Sequence, residues 1–406
     1  MSVDLRTRTD GPRERLDAEI FFRETLADAI ADHRDGIEPG LRFLTPRALT
    51  IEVDGAPWSL AWDDERVLVT PGARDGAAHV RLTREQLEDL VHDQTTFMGL
   101  WTAGTLEQTE GHVGHLNNWW LVLRAALDGK PIYTPGSVTF RDRDGRALDL
   151  RRSFRPDDDR AEMRHFLAEA GFLHITGLFT EEEMAQVSAD MDAAAPTYAP
   201  DDGRSWWART ADGTNRLVRM QGFDHHSPTT AELLADRRYL DLGEIPGDGH
   251  QFGVKRTHNR IEALFKPLDV VAGVSDIPWH KDCSLGRHSY ECCGVTVGIS
   301  VTGADQVSGQ LRVLAGTHRA LVWAGMRQPR LDLPDVPLPT STGDVTVHLS
   351  CTQHMAQAPT ERERRVMYTG FSLPAPDPLA AAEARARLGA VRENAPVAAA
   401  ARGMHA

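Results

Sequence analysis

Cys293-Gly-Val-Thr-Val-Gly-Ile-Ser-Val301 is a run of small and β-branched residues without proline, and it reads as a strand. Gln310-Leu-Arg-Val-Leu314, Val345-Thr-Val-His-Leu349 and Arg365-Val-Met-Tyr-Thr369 repeat the pattern, each bounded by Gly, Pro, Asn or Asp turns. Short strands in this arrangement predict a jelly roll, two small sheets that enclose a site. The fold class expected is α+β: a C-terminal double-stranded β-helix with flanking helices, preceded by a smaller α+β domain.

Three residues around these strands have the spacing of a metal centre. In an extended strand, residues i and i+2 point to one side, so His280 and Asp282 can reach one ion. His354 follows 354 − 280 = 74 residues later, far enough for another strand to pass the same ion. Two histidines and one carboxylate on one face of an octahedron are the ligand set of non-haem iron(II) oxygenases, with three positions left open. Downstream lie Arg364 and Arg365; a guanidinium reads a carboxylate bidentately, as anchoring 2-oxoglutarate requires. The tripeptide alone carries little, because His33-Arg34-Asp35 repeats it in an apparent helix.

The chain has 406 residues, enough for two or three domains, with 41% hydrophobic and 26% charged residues. A formal net charge of −14 without a basic face argues against nucleic-acid or acidic-membrane binding. The polar stretch Met1 to Arg15 shows no secretory signal, and no apolar run is long enough to span a bilayer. Cys283, Cys292, Cys293 and Cys351 form no C-x-x-C pair, so buried reduced thiols in a cytoplasmic protein are expected. On charge alone, Glu361-Arg-Glu-Arg-Arg365 reads as a solvated lead into a strand.

Residues 1–36 predict a helix that stops at Gly36, with Leu16, Ile20, Phe21, Leu26 and Ile30 at helical spacing. Ala48–Val53, Trp58–Trp62, Arg66–Thr70 and Ala78–Leu82 then alternate as strands, with Asp54-Gly55 a hairpin turn. Thr83 and Gln86 form a capping box, and Leu116 to Leu127 reads as a closing helix. The run Ala78–Leu90, then Ala103-Gly-Thr-Leu106 and the closing helix, resembles the sterol-carrier-protein-type lipid-binding domain. That resemblance implies a curved sheet and helices around an apolar tunnel over residues 37–129. Trp101, Trp119 and Trp120 are candidates to line it; core packing is the plainer reading. Residues 130–159 read as a linker with one small hairpin, and residues 374–406 as an Ala/Pro-rich tail with a helix at Leu379 to Val391.

Residues 160–373 resemble the phytanoyl-CoA dioxygenase family in order. A helix and short strand over Met163–Phe179 precede a capping box at Thr180-Glu-Glu-Glu183, with Phe179 and Met184 as its hydrophobic staple. Glu232–Leu240, Phe265-Lys-Pro267, Trp279-His-Lys-Asp282, Gly309–His318 and Gly343-Asp344 follow, leading to His354 and Arg364. The resemblance implies Fe(2+) held by His280, Asp282 and His354, and 2-oxoglutarate held by Arg364 or Arg365, with Lys266 a further polar contact. It implies oxidation of a small molecule with dioxygen, releasing succinate and CO2. Halogenases of this group lack the carboxylate, so Asp282 favours hydroxylation.

Matching back from Phe371 selects Arg364, whereas counting on from His354 selects Arg365. His348 competes with His354 as a ligand; His318 reads as a turn residue and His288 as a solvated or core histidine. Trp206-Trp207-Ala-Arg209 and His225-His226 fit no family motif, which leaves the substrate open. The substrate expected is lipophilic or carrier-bound. The competing readings are a lipid carrier with a catalytically silent barrel, and a cupin-like metal-dependent isomerase or hydrolase.

Overall fold

The computed structural model describes residues 5–10, 14–63, 65–200, 202–254, 259–273, 275–283, 290–291 and 293–393. His288 and Cys292 lie outside these residues.

The N-terminal helical region begins at Ala18, where the Asp17 carboxylate accepts from the Glu19 and Ile20 amides. It does not stop at Gly36: after a break at His33, a helix runs Arg34–Leu44 through Gly36, Pro39 and Gly40. These glycines admit a neighbouring segment rather than end the helix. A Cβ on Gly36 would lie 3.2 Å from Pro131 Cα, and one on Gly40 would strike Ile132. The strands β1 (Leu49–Val53), β2 (Ala56–Trp62), β3 (Val67–Pro71), β4 (Ala78–Leu82) and β5 (Glu107–Glu110) form one sheet in the order β3-β2-β1-β4-β5. Asp54 and Gly55 turn β1 into β2 with φ of 52° and 81°, as an Asp-Gly hairpin requires. Thr83 and Gln86 make the expected capping box. The helix Val113–Asp128 closes the unit and ends on Gly129 in the left-handed region. Trp119 and Trp120 are fully buried in the core with Leu49, Ile51 and Val80, while Trp101 is partly exposed.

The second unit is built on β6 (Phe172–Ile175), β7 (Ser205–Thr210), β8 (Asn215–Gln221), β9 (Gln251–Phe252), β10 (Glu262–Lys266), β11 (Val270–Gly273) and β12 (Gly294–Ser300). β13 (Leu311–Leu314), β14 (Asp335–Leu338), β15 (Val345–Leu349), β16 (His354–Ala356) and β17 (Arg364–Ser372) complete it. The large sheet has the order β11-β7-β8-β10-β17-β12-β15-β6, with β9 added on β17; the small sheet is β14-β13-β16.

Parity along β17 separates the faces of the large sheet. Its odd residues face the helices: Met367 Sδ accepts from Thr230 Oγ1, Thr369 pairs with the Tyr239 hydroxyl and Phe371 stacks on Tyr239. Its even residues, with Thr296 and Gly298 of β12 and His348 of β15 beside them in register, face the enclosed space. The helix Glu181–Ala194 is started by the Thr180–Glu183 capping box, and Phe179 and Met184 are both buried beside it. The tail holds a helix at Pro378–Glu393.

The two units share a core. Tyr290, Leu321, Trp323 and Ala324 belong to the apolar cluster of the N-terminal unit, and Trp323 Nε1 donates to Asn118 Oδ1 at 2.9 Å. The stretch 130–159 contains the hairpin, pairing Arg141 with Ala147, but it is not a free tether. Ile132 bridges Leu321, Phe154 bridges Ile175, and Tyr133 and Phe154 are buried.

Candidate metal centre

His280 and His354 face each other as an antiparallel pair that exchanges both backbone bonds, His280 N to His354 O at 3.0 Å and His354 N to His280 O at 2.9 Å. Directly opposed residues project to one face, so both imidazoles emerge together with ring centroids 4.3 Å apart. Each ring is held by a carbonyl two residues back: His280 Nδ1 lies 2.7 Å from Pro278 O, and His354 Nδ1 lies 2.9 Å from Thr352 O. A proton on Nδ1 leaves the Nε2 lone pair for a metal, the usual tautomer lock of a ligating histidine. Asp282 Oδ1 lies 3.5 Å from both Nε2 atoms, and one ligand atom from each of the three residues falls within 4.8 Å of the others. These three can hold a metal ion.

The surroundings orient the carboxylate. Thr296 Oγ1 donates to Asp282 Oδ2 at 2.6 Å, and His348 Nε2 stands 3.4 Å from the same oxygen. Burial pushes the Asp282 carboxyl up, but His354, His280 and His348 outweigh it and hold it well below the usual carboxylate range. His354 is pushed well down by burial and by the neighbouring imidazoles, which keeps it neutral as a ligand must be. His348 borders this candidate cluster, which takes in His354. Its ring centroid is 4.2 Å from that of His354, and it is 1% exposed.

Arg364 and Arg365 part company as strand neighbours do. Arg365 turns outward, donating to Ser188 O at 2.8 Å and Asp192 Oδ1 at 2.8 Å and covering the Phe265 ring. Arg364 turns inward, is buried, and has no hydrogen-bond partner at Nε or Nη2 among the described residues. It is thus no part of the solvated lead that charge alone suggests. A buried guanidinium with open donors is costly unless an anion completes it. Lys266, opposite Arg364 in register, is 2% exposed and donates to Ser275 O, with Asp276 Oδ1 3.3 Å away. Burial lowers its ammonium to about 8 against the pull of Asp276.

Residues that the sequence did not flag line the same wall. Arg219, opposite Leu264, lies over the Trp206 ring at 4.1 Å and reaches Glu262 Oε2 at 3.3 Å. Asn259 Nδ2 donates to Glu262 Oε1 at 2.8 Å. From the small sheet, Leu311 and Val313 face the way His354 does. Gly298 leaves room for Tyr368, since a Cβ there would sit 2.9 Å from its ring. A small cavity of about 40 Å³ opens beside Thr296 and Ser350, reaching Gln251 and Phe371. The hairpin cue at Asp212-Gly213, between β7 and β8, could have paired the Trp206 stretch with a strand carrying Arg219.

His318 is a turn residue: buried, with Nε2 2.8 Å from Ala168 O and its ring pushed by burial to about 4. His225 ends a short turn of helix and His226 packs on Tyr198, and neither belongs to the candidate cluster. Cys283, Cys293 and Cys351 are buried and form no disulfide among the described residues. No described helix is long and apolar enough to cross a membrane.

Residues 167–366 match the family model described as phytanoyl-CoA dioxygenase (PhyH). Among solved structures, AviO1 from Streptomyces viridochromogenes Tue57 is similar at 20% identity over 54% of this chain and 97% of its own, with a TM-score of 0.41. EctD from S. alaskensis, solved with 2-oxoglutarate and 5-hydroxyectoine, is 18% identical over 60% of this chain and 86% of its own, at a TM-score of 0.43. HygX from Streptomyces hygroscopicus, solved with nickel and 2-oxoglutarate, is 18% identical over 52% and 86%, at 0.38. No curated protein sequence matches the chain.

Proposed function

We propose that this protein is an iron(II)- and 2-oxoglutarate-dependent oxygenase that hydroxylates a small molecule. The observation that carries the reading is the pairing of a two-histidine, one-carboxylate cluster with an inward, buried Arg364 whose Nε and Nη2 have no hydrogen-bond partner among the described residues. The match of residues 167–366 to the phytanoyl-CoA dioxygenase family supports it independently.

His280, Asp282 and His354 would hold Fe(2+), with Thr296 holding the second carboxylate oxygen of Asp282 in place. Arg364 would take the distal carboxylate of 2-oxoglutarate with its open Nε and Nη2 donors. Lys266 adds positive charge behind it. When bound, the metal and cosubstrate supply the oxidation: decarboxylation of 2-oxoglutarate to succinate and CO2, with activation of dioxygen. The protein's own part is to bind, orient and keep the target C–H near the open side of the cluster. A silent lipid carrier would leave the cluster of His280, Asp282 and His354 without a use.

The lipophilic or carrier-bound substrate expected from the sequence meets a wall that is polar at Arg219 and Glu262 and apolar at Leu311 and Val313. A test panel should therefore span both kinds. Incubation with iron(II), 2-oxoglutarate, dioxygen and this panel, reading succinate, decides the matter. Absence of a 2-oxoglutarate-dependent charge-transfer band on the iron(II) protein would overturn the reading before any substrate is known.

A further inference from the structure

The second neighbour of His280 lies on the segment that the N-terminal unit holds. His280 bridges His354 on one side and Gly325 on the other. Met326 N donates to Trp279 O at 3.0 Å, which makes His280 and Gly325 an opposed pair with no bonds between themselves. That is the antiparallel pairing in which side chains come closest, and both members project to the same face. The side chain at position 325 would therefore stand beside the His280 imidazole, inside the barrel. The residue there is glycine, and the space is taken from elsewhere. A Cβ on Gly325 would lie 2.7 Å from Met98 Cγ and 3.4 Å from Met98 Sδ.

Met98 belongs to the helix Phe97–Thr102 of the N-terminal unit and is fully buried. Its helix is fixed by Thr96, whose hydroxyl accepts from the Gly99 amide at 2.9 Å. The receiving segment is equally fixed. Leu321, Trp323 and Ala324 sit in the N-terminal core, and Trp323 is tied to Asn118. Beyond the ligands, Tyr290 is sunk in the same core with its hydroxyl donating to Asp128, and Lys130 Nζ meets Glu291 at 2.7 Å. The ligand-bearing stretch is thus gripped by the N-terminal unit on both sides of Asp282.

We propose that Met98 is a positioning residue of the metal site: it fills the inward face of Gly325 and so sets the lateral position of the His280 imidazole. On this view the N-terminal unit completes the metal site and is not a detachable carrier. The proposal rests on the metal-site reading above, and the test separates the two.

The probe is cobalt(II), titrated into the full-length protein in the absence of 2-oxoglutarate, with affinity and the d–d absorption envelope as readouts. His280→Ala tests the site itself; if it binds cobalt(II) as the wild type does, the centre is misplaced and the Met98 proposal falls with it. With that control lost as expected, Met98→Ala should weaken cobalt(II) binding about tenfold and alter the envelope, as removal of a ligand-orienting neighbour does. Met98→Leu, of similar volume, should restore both. Gly325→Ala, which pushes Met98 away, gives an independent route should Met98→Ala not fold; it should weaken binding similarly, and adding Met98→Ala to it should recover much of the loss. A lower melting temperature with unchanged cobalt(II) affinity and envelope, in Met98→Ala or in Gly325→Ala, makes Met98 a core filler and overturns the proposal.

Discussion

Lys266 and Arg364 stand directly opposite each other on antiparallel strands, both buried and both turned into the barrel. Two cations so placed repel, and Arg364 contributes to lowering the Lys266 ammonium. The pair is stable only where negative charge answers it; Asp276 supplies part of this on the Lys266 side.

Arg364→Ala is expected to raise the KM for 2-oxoglutarate roughly a hundredfold, the equivalent of about 3 kcal/mol for a charge-assisted bidentate contact. Arg365→Ala should leave that KM within about twofold while lowering the melting temperature, because its partners Ser188 and Asp192 belong to the helix packed outside. Steady-state kinetics on both variants, with the opposite ranking as the adverse result, checks the assignment.

Asp282→Ala removes the only carboxylate of the cluster. Iron-dependent consumption of 2-oxoglutarate should vanish, and metal affinity should fall by about a hundredfold or more. Consumption persisting at the wild-type rate would show that the chemistry is elsewhere.

His318 gives a pH signature. Its folded pKa is lowered by burial to about 4 from 6.5, so between those values the unfolded chain binds a proton that the native state refuses. Stability from this group is therefore full above about pH 6.5 and declines as pH falls towards 4, by about 3 kcal/mol in all. His318→Gln should flatten the melting temperature between pH 7 and 4.5 relative to wild type; parallel curves would contradict the account.

Residues 150–406 expressed alone should be insoluble or molten. Tyr290, Leu321 and Trp323 would lose their partners, at about 1.5–3 kcal/mol each, a sum comparable to a whole domain's stability margin. A soluble fragment with wild-type cobalt(II) affinity would show that the shared core is dispensable.

The strands β12, β15 and β17 were legible because their outward residues, Val295, Val297, Ile299, Val345, Val347, Met367 and Phe371, are buried. The candidate cluster was legible by residue type and order, but strand parity does not bring His280 and Asp282 together: His280 forms isolated bridges and Asp282 lies in the turn that follows. Parity does say that Arg364 and Arg365 face apart, but only the helix carrying Ser188 and Asp192 reveals which way is out. β7 and β8 escaped notice because one face is charged: Arg219 and Gln221 alternate with Val218 and Met220, so no apolar run stands out. The contact of Met98 with Gly325 spans 325 − 98 = 227 residues and leaves no local pattern. The end of the first helix was misjudged at Gly36, where the glycine serves close packing against Pro131.

The common cluster holding Tyr290 and Trp323 has a consequence for biogenesis. Synthesis runs from the N-terminus, so the surface that receives these two side chains is made before the ligand-bearing strands exist. The nascent chain offers that surface as a template, and His354, the last of the three candidate ligands to be made, joins a cradle whose opposite wall already exists. If the cluster holds its ion as proposed, capture would then fall at the end of folding, when an adventitious cation can no longer trap a half-made barrel.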